Sequence, residues 1–189
     1  MIWKEFKSNL EFDDGDRLNW QVKHEAVERL GFRRILKRLY QLPDGREVQF
    51  DLKLEQQCVA ILAITADHQV VLVRQFRPGP NRILLEMPGG GIEDGEGPQE
   101  AAARELLEET GYQGDLQFVT SSVDCAYSTM VRFNFVALDC KKISEPTPDE
   151  NEFVEVVTIS VRQYRDLLRS GELSDVESGY LGLDFLGLL

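Results

Sequence analysis

Apolar and polar positions change period along this chain, and the changes mark out its elements. In the first half the apolar residues alternate or run together in short stretches. "RRILKRLYQL" (33–42) and "REVQFDLKL" (46–54) read as strands around a turn that carries Pro43, Asp44 and Gly45. "CVAILAIT" (58–65) and "VVLVRQF" (70–76) read as a second hairpin around "ADHQ", and their near-continuous apolar runs suit a sheet covered on both faces. "RILLEMP" (82–88) is a short strand stopped by its proline. The period then becomes helical. Gly97 to Glu109 is the clearest helix, with Pro98 in the first turn, the high-propensity run "AAARELLEE" and Gly111 as terminator.

Beyond that helix, "LQFVTSSV" (116–123), "VRFNFVAL" (131–138) and "FVEVVTIS" (153–160) read as strands, and "VRQYRDLLRSGEL" (161–173) as an amphipathic helix with Gly171 near its end. "EPTPDENE" (145–152) carries two prolines and four acids, so it reads as a loop. The first ~55 residues read as a small β-rich extension, with a boundary near Glu55 to Gln57. Residues 1–55 and 56–189 are the expected division. The expected fold class is α+β: a mixed sheet between helices, plus the small N-terminal antiparallel sheet.

Composition narrows the chemistry. With 42% hydrophobic and 29% charged residues over 189 positions, the chain is expected to fold around a full core. No run approaches the roughly 18 apolar residues of a membrane span, and "MIWKEFKSNLEFDDGD" lacks the pattern of a signal peptide. A cytoplasmic protein with no membrane partner is expected. Cys58, Cys125 and Cys140 are widely spaced and odd in number, which suits buried packing rather than a disulfide framework or zinc site. A net charge of -12 repels a nucleic-acid backbone, so no nucleic-acid partner is expected. A polyanionic substrate would need local cations, and a bound divalent metal could supply them. His24 and His68 lie outside every motif, leaving nucleophilic or histidine-based acid–base chemistry without support.

The stretch "MPGGGIEDGEGPQEAAARELLEETGY" (87–112) poses the central question. Glu105, Glu108 and Glu109 fall within an arc of roughly 100° on a helix, while Ala103, Leu106 and Leu107 point to the other side. Like charges one turn apart each cost a few tenths of a kcal/mol. Arg104, one turn before Glu108, can pair with it. A solvated acidic face is the plain alternative for any such run. The whole pattern is more specific: Gly90, Glu96, Arg104, Glu105, Leu106, Glu108, Glu109, Gly111 and Tyr112 follow G-x5-E-x7-R-E-U-x-E-E-x-G-U, with U bulky and apolar or aromatic. Seven fixed residues at about one in twenty each would recur by chance about once in a billion registers.

That pattern resembles the signature of the Nudix hydrolases. The resemblance implies a Nudix-type α/β/α sandwich and hydrolysis of a nucleoside diphosphate linked to another group. It implies Mg²⁺, with Mn²⁺ the alternative, held mainly by Glu105 and Glu109. Glu108 would share or orient the ion, the Gly89 carbonyl would add an oxygen, and Arg104 and Glu96 would brace loop to helix. Upstream, Arg74, Gln75, Phe76, Arg77, Glu86, Pro88 and Gly89 are similar to a segment of the ADP-ribose and nucleotide-sugar pyrophosphatase branch. There Arg77 would approach substrate and Glu86 would sit near the metal, with Arg74 a further substrate-side candidate; a plain strand-end charge is the alternative for Arg77. The loop "TPDENEFVEV" is similar to one that supplies a catalytic base in that branch. Glu152 is preferred, Glu150 matches as well, and Asp149 is a shorter third candidate.

One departure widens the substrate range. Where ADP-ribose pyrophosphatases usually carry a proline after the box, this chain has "DCAYSTMVRFNF" with Tyr127. Tyr127 is similar to a residue of the diadenosine polyphosphate hydrolases and could stack on a base, with core packing the alternative. The expected substrate is therefore ADP-ribose or another nucleoside diphosphate sugar such as GDP-mannose. The alternatives are a dinucleoside polyphosphate and a non-catalytic Nudix-like ligand sensor. In the same branch the N-terminal extension pairs two subunits, so a homodimer is expected, with Trp3, Trp20 and Phe32 as interface candidates; a monomer that buries them in its own core is the rival.

Overall fold

The computed structural model describes residues 18–147 and 153–189. The chain divides into two compact units, Met1–Leu54 and Glu55–Leu189. Within the first unit, β1 (Gln21–Leu30), β2 (Arg33–Gln41) and β3 (Glu47–Lys53) form an antiparallel sheet in that order. Gly31 and Gly45, at φ of 63° and 87°, turn the chain between the strands, where a side chain would be strained. Trp20 packs against Tyr40 and Phe50 with ring centroids 5.6 and 5.5 Å away, while Phe32 stands exposed at the first turn. Trp3 lies outside the described residues.

The second unit contains β4 (Cys58–Thr65), β5 (Gln69–Arg77), β6 (Arg82–Glu86), α1 (Pro98–Thr110), β7 (Tyr112–Val123), β8 (Val131–Lys142), β9 (Val154–Ser160), α2 (Val161–Ser170) and α3 (Val176–Phe185). Its sheet runs β6-β5-β4-β8-β7, with β9 paired to β5. Strands β4 and β8 are parallel and the other pairs antiparallel, so the sheet is mixed. Successive side chains of β4 enter opposite cores. Val59, Ile61 and Ala63 pack with Ala101, Ala102 and Leu106 of α1; Ala60, Leu62 and Ile64 pack with Tyr164, Leu168 and Leu183 of α2 and α3. The α+β class and the helix-covered mixed sheet are therefore as expected.

Helix α1 begins at Pro98, where the missing N–H costs nothing, and ends at Gly111, whose φ of 74° lets its N–H reach the Leu107 carbonyl. Its buried stripe differs from the expected one. Leu106 enters the core, a burial that contributes about 2 kcal/mol, but Ala103 and Leu107 are exposed on a groove shared with Gln113, Gly114 and Leu116. Glu109 instead joins Ala101, Ala102 and Leu106 among the buried residues. The cysteine expectation also needs correction: Cys140 is buried, Cys58 half-buried and Cys125 exposed. Among the described residues no helix is long and apolar enough to cross a membrane.

Candidate functional site

The site is built where the Pro88–Gly91 segment lies between the start of β4 and α1. Three hydrogen bonds fasten it to the β4 side: Ile61 N–H to the Pro88 carbonyl and Val59 N–H to the Gly90 carbonyl, both 2.9 Å, and Ile92 N–H to the Gln57 carbonyl, also 2.9 Å. The glycines are required by this close approach. A Cβ at position 89 would collide with the Val59 carbonyl, and one at position 90 would collide with the carboxylate of Glu105. Gly89→Ala is accordingly expected to cost about 1–3 kcal/mol, because the obstacle is backbone; a urea titration showing an unchanged midpoint would contradict it.

From the helix side, each glutamate meets a different partner. Glu109, only 5% exposed, accepts a 2.9 Å hydrogen bond from the Gly89 N–H. Glu105 lies against Gly90 and accepts from Arg104 Nη1 at 2.8 Å. Glu108 accepts from the same nitrogen at 3.0 Å, and its backbone carbonyl accepts from Thr147 N–H at 2.7 Å. Arg104 also donates to both oxygens of Glu96, at 2.9 and 3.0 Å, and to the Gly91 carbonyl at 2.9 Å. These partners raise the guanidinium pKa, with the Glu96 hydrogen bond the leading cause, and Arg104 in turn holds Glu96 below its usual value.

The expected convergence of the three carboxylates is thus only partly seen. Glu105 and Glu109 meet the glycine segment while Glu108 reaches it only through Arg104, and among the described residues no three acids, histidines or cysteines are gathered into a cation cage. The physical reason is that Arg104 holds Glu105 and Glu108 while the Gly89 N–H holds Glu109. The donor set nonetheless suits a hard divalent ion: every donor is oxygen, and at Gly90 the backbone admits a carboxylate where any Cβ would intrude.

A second group lies at the end of β5. Arg77 Nε donates to Glu86 Oε2 at 2.5 Å, and the Ser174 hydroxyl donates to Glu86 Oε1. Glu86 is 1% exposed, so Arg77 and Ser174 compensate a carboxylate almost removed from water. Arg74 is not part of this group. It forms an exposed cross-strand pair with Glu155 at 2.7 Å, being odd by one residue relative to Gln75 and Arg77 on an alternating strand.

Only the flanks of the acidic segment 145–152 are described, and each meets an element of the site. Thr147 is bonded to Glu108 at its start, and Val154 pairs with Gln75 soon after its end. Asp149, Glu150 and Glu152 themselves lie outside the described residues. Tyr127, 57% exposed, sits between β7 and β8 rather than in the core. That connection reaches the sheet end where β8 starts alongside β4, beside the Cys58–Gly91 bridge.

Sequence reasoning missed two residues here, Ser174, which holds Glu86, and Asp175. Asp175, buried beside Tyr164 and Ser178, accepts a 3.2 Å hydrogen bond from Met87 N–H. Burial first, and then the charge of Glu86, push its carboxyl up to about 7. An ordinary aspartate titrates near 4, so from about pH 4 to 7 the folded chain retains a proton that the unfolded chain releases. Stability from this group falls as pH rises through that window. Asp175→Asn, neutral throughout, is expected to gain on wild type between pH 5 and pH 8; denaturant titrations showing a constant difference would refute this.

Comparison with known proteins agrees with the geometry. The NUDIX domain family matches residues 54–176. The ADP-ribose pyrophosphatase of Bacillus subtilis (strain 168) is 32% identical over 146 residues, covering 74% of this chain and 77% of that protein. The methanol dehydrogenase activator of Bacillus methanolicus is 29% identical over 141 residues, covering 71% of this chain and 75% of that protein. A crystal structure described as an ADP compounds hydrolase shares the fold with a TM-score of 0.75, at 24% identity, over 91% of this chain and 98% of the other. This chain belongs to the Nudix family. It is a pyrophosphohydrolase of that family.

Proposed function

We propose that the chain hydrolyses the pyrophosphate bond of ADP-ribose or a related nucleoside diphosphate sugar, such as GDP-mannose. Water is consumed, and a nucleoside monophosphate and a sugar phosphate are released. The observation that carries the reading is the glutamate helix packed on a glycine segment, with the Arg77–Glu86 pair joining β5 to the end of β6 just before that segment. The relative named ADP-ribose pyrophosphatase supports the substrate class.

Glu105 and Glu109, with Glu108 and the Gly89 carbonyl, would hold Mg²⁺ or Mn²⁺. A divalent ion there supplies positive charge against the diphosphate and acidifies a nearby water. Arg104 keeps the carboxylates oriented through its fixed fork of donors. Arg77, 42% exposed at its side chain, is the guanidinium within reach of phosphate oxygens. Glu152, or Glu150, takes the proton from the attacking water, and the departing phosphate carries away the electron pair of the broken P–O bond. Arg74, tied to Glu155, serves at the substrate rim. Tyr127 stacks on the base, its exposure favouring that role over core packing. The three-stranded unit, whose β1 is exposed along its whole length, is the surface assigned to a second copy of the chain.

The test is product analysis across ADP-ribose, GDP-mannose, other nucleotide sugars and diadenosine polyphosphates, with Mg²⁺, Mn²⁺ or chelator. Metal-dependent release of monophosphate and sugar phosphate is the expected result. Cleavage confined to dinucleoside polyphosphates would replace the sugar reading and make Tyr127 the substrate determinant. Binding without cleavage of any member would favour a ligand sensor.

A further inference from the structure

Helix α3 begins in an unusual way. Asp175 occupies its N-cap position, where an aspartate ordinarily accepts a hydrogen bond from the second or third N–H of its own helix. It makes no such bond. Its Oδ2 turns instead to the N–H of Met87, 88 residues earlier in the chain. The preceding residue behaves likewise: Ser174 Oγ donates to Glu86 Oε1, across the same separation of 88. Two adjacent side chains thus hold two adjacent residues of the segment that leads from β6 into the glycines.

The two holds have different consequences. Ser174 fixes one oxygen of Glu86, leaving the other to Arg77 Nε, so the hydroxyl selects the direction in which that guanidinium is held. Asp175 fixes the Met87 amide, the peptide just before Pro88 and Gly89; the Gly89 N–H then receives Glu109. The far side of Asp175 is consistent with a side chain kept for this purpose. Its Oδ1, the Tyr164 hydroxyl and the Ser178 hydroxyl are buried without a hydrogen-bond partner among the described residues. Burying such atoms is costly. An apolar residue would avoid the cost for Asp175 and would also lose the Met87 contact.

We propose that Ser174 and Asp175 are positioning residues of the hydrolase, Ser174 acting through Glu86 on Arg77 and Asp175 acting through Met87 on the Gly89–Glu109 contact. The kinetic part of this inference rests on the substrate reading above; the clamp itself does not. Both residues lie far outside the glutamate box and touch neither the substrate phosphates nor the ion in this scheme.

Two measurements separate the clamp from the reaction. Hydrogen–deuterium exchange on substrate-free protein should show faster exchange of the Met87 amide in Asp175→Ala, with Asp175→Asn close to wild type because the amide oxygen can still accept. Steady-state kinetics on ADP-ribose should then divide. Ser174→Ala is expected to raise KM on the order of tenfold with kcat little changed, and Asp175→Ala to lower kcat on the order of ten- to a hundredfold, with Asp175→Asn restoring most of it. In a Glu86→Gln background, Ser174→Ala should have no further effect on KM.

Unchanged exchange at Met87 would overturn the clamp even if wild type is fully active. Equal impairment of Asp175→Asn and Asp175→Ala, or additive KM effects of Ser174→Ala and Glu86→Gln, would overturn the positioning roles. Faster exchange in Asp175→Ala together with a wild type inactive on the whole substrate panel would remove the substrate reading while upholding the clamp. Ser174→Ala removes one hydroxyl, so it remains informative even if Asp175→Ala fails to fold.

Discussion

Glu109→Gln is expected to lower kcat by about 10²–10³-fold, the range seen when one preorganised charge-stabilising group is removed from an active site. Glutamine matches the shape of glutamate and retains an oxygen that can accept the Gly89 N–H at the position now 2.9 Å away. What it loses is the negative charge, and a hard divalent ion discriminates strongly between a carboxylate and a carboxamide. Since Glu109 is only 5% exposed, removing that charge also relieves a desolvation cost, so the metal-free variant should melt no lower than wild type. Glu108→Gln is the internal control. Its side chain is 44% exposed and pairs with Arg104 in an ordinary i,i+4 arrangement, so a much smaller loss is expected. Kinetics at saturating Mg²⁺, calorimetric metal titration and metal-free melting curves distinguish the cases. A Glu109→Gln enzyme within threefold of wild type would remove Glu109 from the proposed ion site.

Elements whose meaning is local were legible from the sequence. The helix limits came from Pro98 and Gly111, and the β2–β3 turn from Pro43, Asp44 and Gly45, because each of these residues imposes its own backbone geometry. The glutamates were legible for the same reason, since helical spacing alone puts Glu105 and Glu109 on the side that meets the glycines. Strand β1 was missed. "QVKHEAVERL" distributes charge over both faces, and all ten residues are exposed, so no buried face imposed an alternating pattern. Helix α3 was missed because Gly179 and Gly182 lower its helix propensity. Their absent side chains are what let it approach Tyr164 and Leu62, a packing demand invisible along the chain. Ser174 and Asp175 were illegible for a stronger reason: their partners lie 88 residues away, and an aspartate before a helix reads as a cap. The glutamates of α1 needed only their own helix; the residues that hold Glu86 and Met87 needed the fold.

Arg104→Ala is expected to destabilise the metal-free protein by about 2–4 kcal/mol, slightly below the range for breaking a fully buried ion pair, because the guanidinium is 24% exposed. The expected loss comes mainly from what remains behind. Glu96, Glu105 and Glu108 would lose their shared cation, and the Gly91 carbonyl would lose a donor. Arg104→Lys should recover only part of this, since one ammonium cannot reproduce donation from Nε, Nη1 and Nη2 in a single plane. The response to metal makes the prediction specific to charge compensation. An ion that binds the folded chain stabilises it by RT ln(1 + [L]/Kd). With Arg104 removed, the ion meets more uncompensated carboxylate charge, so the rise in Tm on adding Mg²⁺ should be larger in Arg104→Ala than in wild type. A smaller rise would mean that the orientation Arg104 gives Glu105 and Glu108 outweighs, for the ion, the negative charge it neutralises. A Tm equal to wild type without metal would mean that solvent alone suffices to hold like charges one turn apart on α1, leaving the arginine with no part in folding.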